Sequence, residues 1–294
     1  MEIAASELHR EDKKIVADDP ESKGAQQQLL NEYFNNSRTW KDIHHGEGLY
    51  ETIYQLRWAK VVSLLDKLAL PTGTRVLEIG CGPGVTTLSL AERGYQVCAV
   101  DTVSAMVEAM RQLVNEAGLG RRVRGCLGDI NDLPFSNNCF DVVVVVGVLE
   151  WLDSWDQPFR EVARVMRPGG SFVGVANNAW ALHRILDPRL CPLLQPVKRM
   201  IREVERRRSP SKALLVEHVH STRQVQTALT KAALRTTQRA TVGFGPFSFF
   251  GYSLFEDQIG LRVHRRLQRW ADSGVPVLRS MGFVQIFVAE KERG

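Results

Sequence analysis

Residues 142–146 are five consecutive valines, introduced by Phe140-Asp141 and closed by Gly147, and they constrain the fold more than any other stretch. β-Branched side chains favour an extended backbone. A run with no polar alternation is stable as a strand only where both faces are covered, as in the middle of a parallel sheet. The run is far shorter than the ~20 apolar residues of a membrane span. The flanking sequence alternates in a matching way. Residues 75–79, 96–100, 123–127 and 171–175 read as further strands. Residues 85–93, 104–117 and 157–166 read as helices between them, punctuated by Gly94, Gly118, Gly120 and Pro168-Gly169-Gly170. Alternating strands and helices imply a parallel sheet wound on both sides, with the carboxyl ends of the strands along one edge.

Outside this stretch the pattern changes. Residues 26–34 and 49–68 read as helices, the second carrying Tyr50, Ile53, Tyr54, Trp58, Val61, Val62, Leu64 and Leu65 at helical spacing before Pro71-Thr72-Gly73. Residues 180–208 are helical in character but interrupted by Pro188, Pro192 and Pro196. A helix at 221–233, strands at 236–242 and 284–289, and a helix at 258–270 complete the reading. The expected divisions are a disordered tail (1–25), an N-terminal helical cap (26–70), a ligand-binding core (71–178), a helical lid insertion (179–235) and C-terminal strands completing the sheet (236–294).

Composition excludes several classes. Hydrophobic residues make up 44% and charged residues 24%, which is ordinary for a globular chain. The polar start lacks the apolar core of a secretory signal. Five cysteines are scattered without a C-x-x-C pair, which argues against a disulfide framework or structural zinc and fits the reducing cytosol. A formal charge of +5 permits an anionic substrate or an anionic membrane surface without demanding nucleic acid.

The segment Glu78-Ile79-Gly80-Cys81-Gly82-Pro83-Gly84 lies between the first strand and the first helix. Glycines at alternate positions let the backbone turn tightly and approach a ligand closely. A dinucleotide fingerprint would place its third glycine where Val85 stands, and Pro83 removes an N–H that a pyrophosphate would use. Asp101 ends the second strand about 20 residues beyond Gly80, the spacing at which a carboxylate meets a ribose diol. Asp129, at the end of the third strand, can accept from an exocyclic amine or close an Asx-turn.

These residues resemble the class I S-adenosylmethionine-dependent methyltransferases, over about half the chain. The resemblance implies an α/β fold: a doubly wound, mostly parallel Rossmann-like sheet with an N-terminal helical cap and a helical insertion after the fifth strand. It also implies S-adenosyl-L-methionine as cofactor. Gly80 and Gly82, with Cys81 and Gly84, would approach its methionine part, and Glu78 would organise the loop. Asp101 and Thr102 would hold the ribose, Met106 would flank the adenine, Asp129 and Ile130 would meet the adenine amine, and Gly147 would close the cleft after the fourth strand. Phe140-Asp141 and Arg167-Pro168-Gly169-Gly170 match the family's fourth-strand motif and the turn before its fifth strand. Tyr33-Phe34-Asn35-Asn36 and Trp40-Lys41-Asp42-Ile43 resemble the opening segment of magnesium-protoporphyrin O-methyltransferases, and the core also resembles ubiquinone/menaquinone methyltransferases.

One departure matters. Where many relatives carry a Leu-x-His pattern, this chain has Leu149-Glu150-Trp151, so Trp151 supplies no general base and becomes a candidate wall for the acceptor. His44, His45, His218 and His220 are the remaining candidate bases. His218 and His220, in alternate positions, would point to one side of an extended segment. No third ligand accompanies them, so no metal site is expected. Asn177, at the end of the fifth strand, is a candidate for orienting the acceptor. The basic stretch 184–212 reads as a solvated amphipathic face covering the cleft, as a contact with an anionic membrane, or as a phosphate-docking surface. The resulting expectation is methyl transfer to a small or lipid-like acceptor, with oxygen ahead of carbon, in a cytoplasmic enzyme with possible membrane-peripheral contact. A tRNA or rRNA methyltransferase and a non-catalytic cofactor-binding protein are the alternatives. The absence of an appended RNA-binding motif argues against the first, and the intact glycines and acids against the second.

Overall fold

The computed structural model describes Phe34, residues 46–194 and residues 217–293. The expected tail, His44, His45 and most of the basic stretch lie outside the described residues, and of the first expected helix only Phe34, which is helical, is described. Helix α1 (Leu49–Asp66) leads into β1 (Arg75–Ile79), α2 (Val85–Glu92), β2 (Gln96–Asp101), α3 (Ser104–Glu116), β3 (Val123–Leu127) and β4 (Phe140–Val145). There follow α4 (Asp156–Val165), β5 (Met166–Asn177), the short α5 (Leu182–Leu186), α6 (Thr222–Lys231), β6 (Leu234–Val242), α7 (Asp257–Asp272) and β7 (Val284–Lys291). The sheet order is β3-β2-β1-β4-β5-β7-β6, parallel except for β7, which runs antiparallel to both neighbours. This is the α/β, doubly wound, mostly parallel architecture that the alternation predicts.

The valine run behaves as its composition requires. Val143 and Val145 face one core with Leu77, Phe172 and Phe287, covered by Phe159, Val162 and Val165 of α4 and Val225 and Leu229 of α6. Val142 and Val144 face the other core with Val76, Val173 and Ile286, covered by Val61, Leu64 and Leu65 of α1, Leu90 of α2 and Met110 and Val114 of α3. Helices cover both faces of the sheet, and the cleft lies at the carboxyl ends of its strands.

The structure corrects two local expectations. Arg167-Pro168-Gly169-Gly170 is not a turn before β5 but part of it, and the β4–β5 register shifts between Phe140 and Val142 to absorb the extra residues. Gly169 has φ +76°, and a side chain on Gly170 would sit 2.9 Å from the carbonyls of both Arg167 and Asp141, so the bulge requires glycine at both positions. Secondly, the helix expected over 180–208 is reduced, among the described residues, to α5 and a single 3₁₀ turn at Pro192–Leu194. Pro188 and Pro192 lack the N–H groups that would continue it.

Candidate active site

Strand order reverses between β1 and β4, so the loops after these strands diverge and open a cleft of about 230 Å³. A single water needs only ~10–15 Å³ by this measure, so the space suits a ligand of many atoms. Its floor is the loop after β1. The N–H groups of Gly80 and Cys81 both donate to the Val100 carbonyl, at 2.7 and 3.0 Å, folding the loop over the tip of β2. The Gly82 N–H donates to Asp101 Oδ2 at 2.9 Å and the Val103 N–H to Oδ1 at 3.0 Å. Asp101 thus ties the two strand tips together, and burial holds its carboxyl above the usual range despite these bonds.

The three glycines serve different ends. All have positive φ (+76°, +50° and +95° at Gly80, Gly82 and Gly84). A Cβ on Gly82 would meet nothing within 4 Å, because that face of the loop is open to the cleft. A Cβ on Gly84 would lie 2.8 Å from Cα of Met110, so Gly84 is a packing residue between α2 and α3 and does not line the cleft. Glu78 is likewise behind the wall. It is buried, accepts from Thr87 Oγ1 at 2.5 Å, and is pushed up to about 8 by burial, with Thr87 opposing and the Asp101 charge adding.

Gly80, Cys81, Gly82, Asp101, Thr102, Met106, Asp129, Ile130, Gly147 and Trp151 all line the cleft. Asp129 Oδ1 accepts from both the backbone and the side-chain nitrogens of Asn131, at 2.8 Å each, so the Asx-turn and the cleft position coexist. Trp151 meets Phe34 edge-on, with ring centroids 5.4 Å apart.

Three other candidates lie elsewhere. Asn177 is buried at the end of β5, where its carbonyl accepts from the His220 N–H at 2.9 Å, and it does not reach the cleft. His218 and His220 do share a side, with ring centroids 6.5 Å apart, but neither lines the cleft. His220 stacks on Trp155 at 3.8 Å, and burial lowers it to about 4. His218 packs behind the site, its N–H donating to the Glu150 carbonyl at 2.6 Å. The 217–220 segment therefore braces the cleft from outside. Among the described residues no group of three or more His, Cys, Asp or Glu could hold a metal.

Sequence reasoning missed a second set, Tyr54, Arg57 and Trp58 of α1 and Glu150, which line the cleft opposite the glycine loop. Arg57 Nη1 lies 3.6 Å from Glu150 Oε1, the Arg57 guanidinium covers the Tyr54 ring at 4.1 Å, and Tyr54 Oη is 3.1 Å from Tyr50 Oη. Glu150 is 4% exposed, and burial pushes its carboxyl up to about 7 against the pull of Arg57. Among the described residues, Glu150 Oε2, Arg57 Nε and Trp58 Nε1 are buried and find no hydrogen-bond partner. A stripe of polar groups at positions 50, 54, 57 and 58 of a helix was the available signal.

The geometry fits a nucleoside sulfonium. The glycine loop presents bare backbone, and carboxylates at Asp101 and Asp129 line the same side of the space. Comparison with known proteins agrees. Residues 77–174 match the family described as "Methyltransferase domain". A sterol 4-C-methyltransferase of Caenorhabditis elegans is 27% identical over 49% of this chain and 42% of its own length. A malonyl-acyl-carrier-protein O-methyltransferase of Pectobacterium atrosepticum is 27% identical over 51% of this chain and 58% of its own. The chain thus spans about half the length of these curated relatives. The solved magnesium protoporphyrin IX methyltransferase of Synechocystis PCC 6803, with bound SAH, superposes with a TM-score of 0.59 at 15% identity, covering 90% of this chain and 100% of that one, a likeness of fold. Over residues 77–174, a third of its length, the chain therefore matches the methyltransferase-domain family.

Proposed function

We propose that the protein transfers a methyl group from S-adenosylmethionine to a small or lipid-like, largely apolar acceptor, with oxygen as the acceptor atom. The observation that carries the reading is the bond between the Gly82 N–H and Asp101 Oδ2, which sets a side-chain-free backbone and an acid at neighbouring strand tips on the floor of one cleft. When bound, the cofactor supplies a methyl group on a positively charged sulfur. The chain's part is to hold donor and acceptor in line and to keep water out. A well-aligned pair gains several kcal/mol from orientation alone.

The division of labour follows the two walls. Gly80, Gly82, Asp101, Thr102, Met106, Asp129, Ile130 and Gly147 take the cofactor, and Glu78 and Gly84 shape that wall from behind. Phe34, Tyr54, Trp58 and Trp151 make an aromatic wall suited to a flat or apolar acceptor. Relatives named for a sterol and for malonyl-acyl-carrier protein fit a small or lipid-like acceptor, and one of them is named for carbon and the other for oxygen.

Calorimetry with S-adenosylhomocysteine tests the cofactor wall. Asp101→Ala is expected to weaken binding at least tenfold, because it removes both the acid and the tie that holds Gly82. Equal affinity of the wild type and the variant would remove the assigned site.

A further inference from the structure

Three buried polar atoms without partners belong to residues of one wall of the cleft: Glu150 Oε2, Arg57 Nε and Trp58 Nε1. Buried polar groups in folded proteins are nearly always satisfied, so a cluster of exceptions calls for a ligand that supplies what is missing. The set is complementary: one acceptor, two donors. A molecule that satisfies it brings a hydroxyl to the carboxylate and an oxygen or π-face to the two N–H groups. Aromatic rings at Phe34, Tyr54, Trp58 and Trp151 surround the place.

We infer that Glu150, held by Arg57, is the catalytic proton acceptor, and that the methyl acceptor is a planar hydroxyl compound, phenolic or enolic, whose O–H donates to Glu150 Oε2. The inference rests on the methyltransferase reading above and deepens it. As the hydroxyl oxygen forms its bond to the methyl carbon, the carbon–sulfur bond breaks and its electron pair leaves with sulfur. The hydroxyl proton passes to Glu150, and it returns to solvent after the methyl ether departs. The chain therefore replaces the absent histidine at Trp151 with the residue one position earlier, and Trp151 becomes a wall.

The surroundings of Glu150 suit this role. Arg57 and Tyr54 face it from α1, and Glu217 faces it from the segment before α6. Burial and Glu217 raise its affinity for a proton, and Arg57 lowers it, leaving the carboxyl near 7. A base poised near the working pH both exists in its ionised form and binds the proton it receives. Two other carboxyls are raised by burial and cannot serve: Glu78 lies behind the wall with Thr87 on its oxygen, and both oxygens of Asp101 already accept from backbone N–H groups of Gly82 and Val103.

The test uses the full chain saturated with S-adenosylhomocysteine, with 4-nitrophenol as probe at pH 8, where the free probe is ionised. Two anions do not share a buried site, so phenolate and Glu150 must take up one proton between them. Calorimetry in buffers of different ionisation enthalpy is expected to show uptake of about one proton per probe bound in the wild type. Glu150→Asp should keep most of it. Glu150→Gln should bind S-adenosylhomocysteine within twofold of wild type and take up almost none. Unchanged uptake in Glu150→Gln, or a wild type that binds the probe without uptake or not at all, overturns the inference. Loss of S-adenosylhomocysteine binding by the wild type itself overturns instead the methyltransferase reading beneath it.

Discussion

Glu78 and Glu150 are both carboxyl groups removed from water, yet the chain uses them in opposite ways. Glu78 is closed off by Thr87 and lies under the glycine loop, whereas Glu150 keeps one oxygen unpartnered. Their burial has a consequence for stability. Glu78 binds its proton more tightly in the folded chain, at about 8 against 4.5. Between those values the fold retains a proton that the unfolded chain has released, so stability falls as pH rises from 4.5 to 8 and levels off above. Glu150 acts in the same direction over a narrower window. Glu78→Gln keeps an acceptor for Thr87 and removes the titration. Its melting temperature is therefore expected to decline less than that of wild type between pH 5 and 8, a difference on the order of a few kcal/mol by the upper pH. A parallel decline in thermal melts of both proteins would refute the assignment. Asp101 stood out in the sequence by its place at a strand end about 20 residues beyond Gly80, and Glu78 by the resemblance to the methyltransferase loop. Glu150 did not, because no neighbour in the sequence marks it, and the packing of α1 across the cleft is what gives Glu150 its arginine.

At the scale of elements, the 217–220 segment and α6 brace the cleft from outside. The Ser221 side chain accepts from the Gln224 N–H and the Gln224 side chain accepts from the Ser221 N–H, a reciprocal cap that fixes where α6 begins. Ser221→Ala is expected to cost ~1 kcal/mol, read as a shift in denaturant midpoint with unchanged slope. A shift indistinguishable from zero would show that the segment is held by His220 on Trp155 instead. Strands and helices between β1 and β5 were legible because period and glycine punctuation agree there. The stripe on α1 was legible as a helix but not as a wall. Tyr54 and Trp58 read as core residues, and the arginine between them gains its meaning only from a partner almost a hundred residues away. The Arg-Pro-Gly-Gly stretch was misread for a related reason: a bulge and a turn both call for glycine, and only the register of β4 against β5 distinguishes them.

At the scale of the whole molecule, stability and function occupy different parts. The two cores flank the sheet and the cleft sits at its open edge, so core damage should lower stability without a specific loss of ligand binding. Phe159 is fully buried on α4, edge-on to Phe172 at 5.3 Å. Phe159→Ala is expected to cost ~3–5 kcal/mol while S-adenosylhomocysteine affinity, measured below the unfolding transition, stays within threefold. A tenfold loss would show that the two parts are mechanically coupled. The order of the sheet carries a temporal consequence as well. β6 is an edge strand whose one neighbour is β7, made some forty residues later. On the ribosome, at roughly 5–20 residues per second, the outermost strand emerges seconds before the strand that docks it, and α6 with it. The parallel half can close early, while the brace behind Glu150 is held in place only after the final strand slots between its two neighbours.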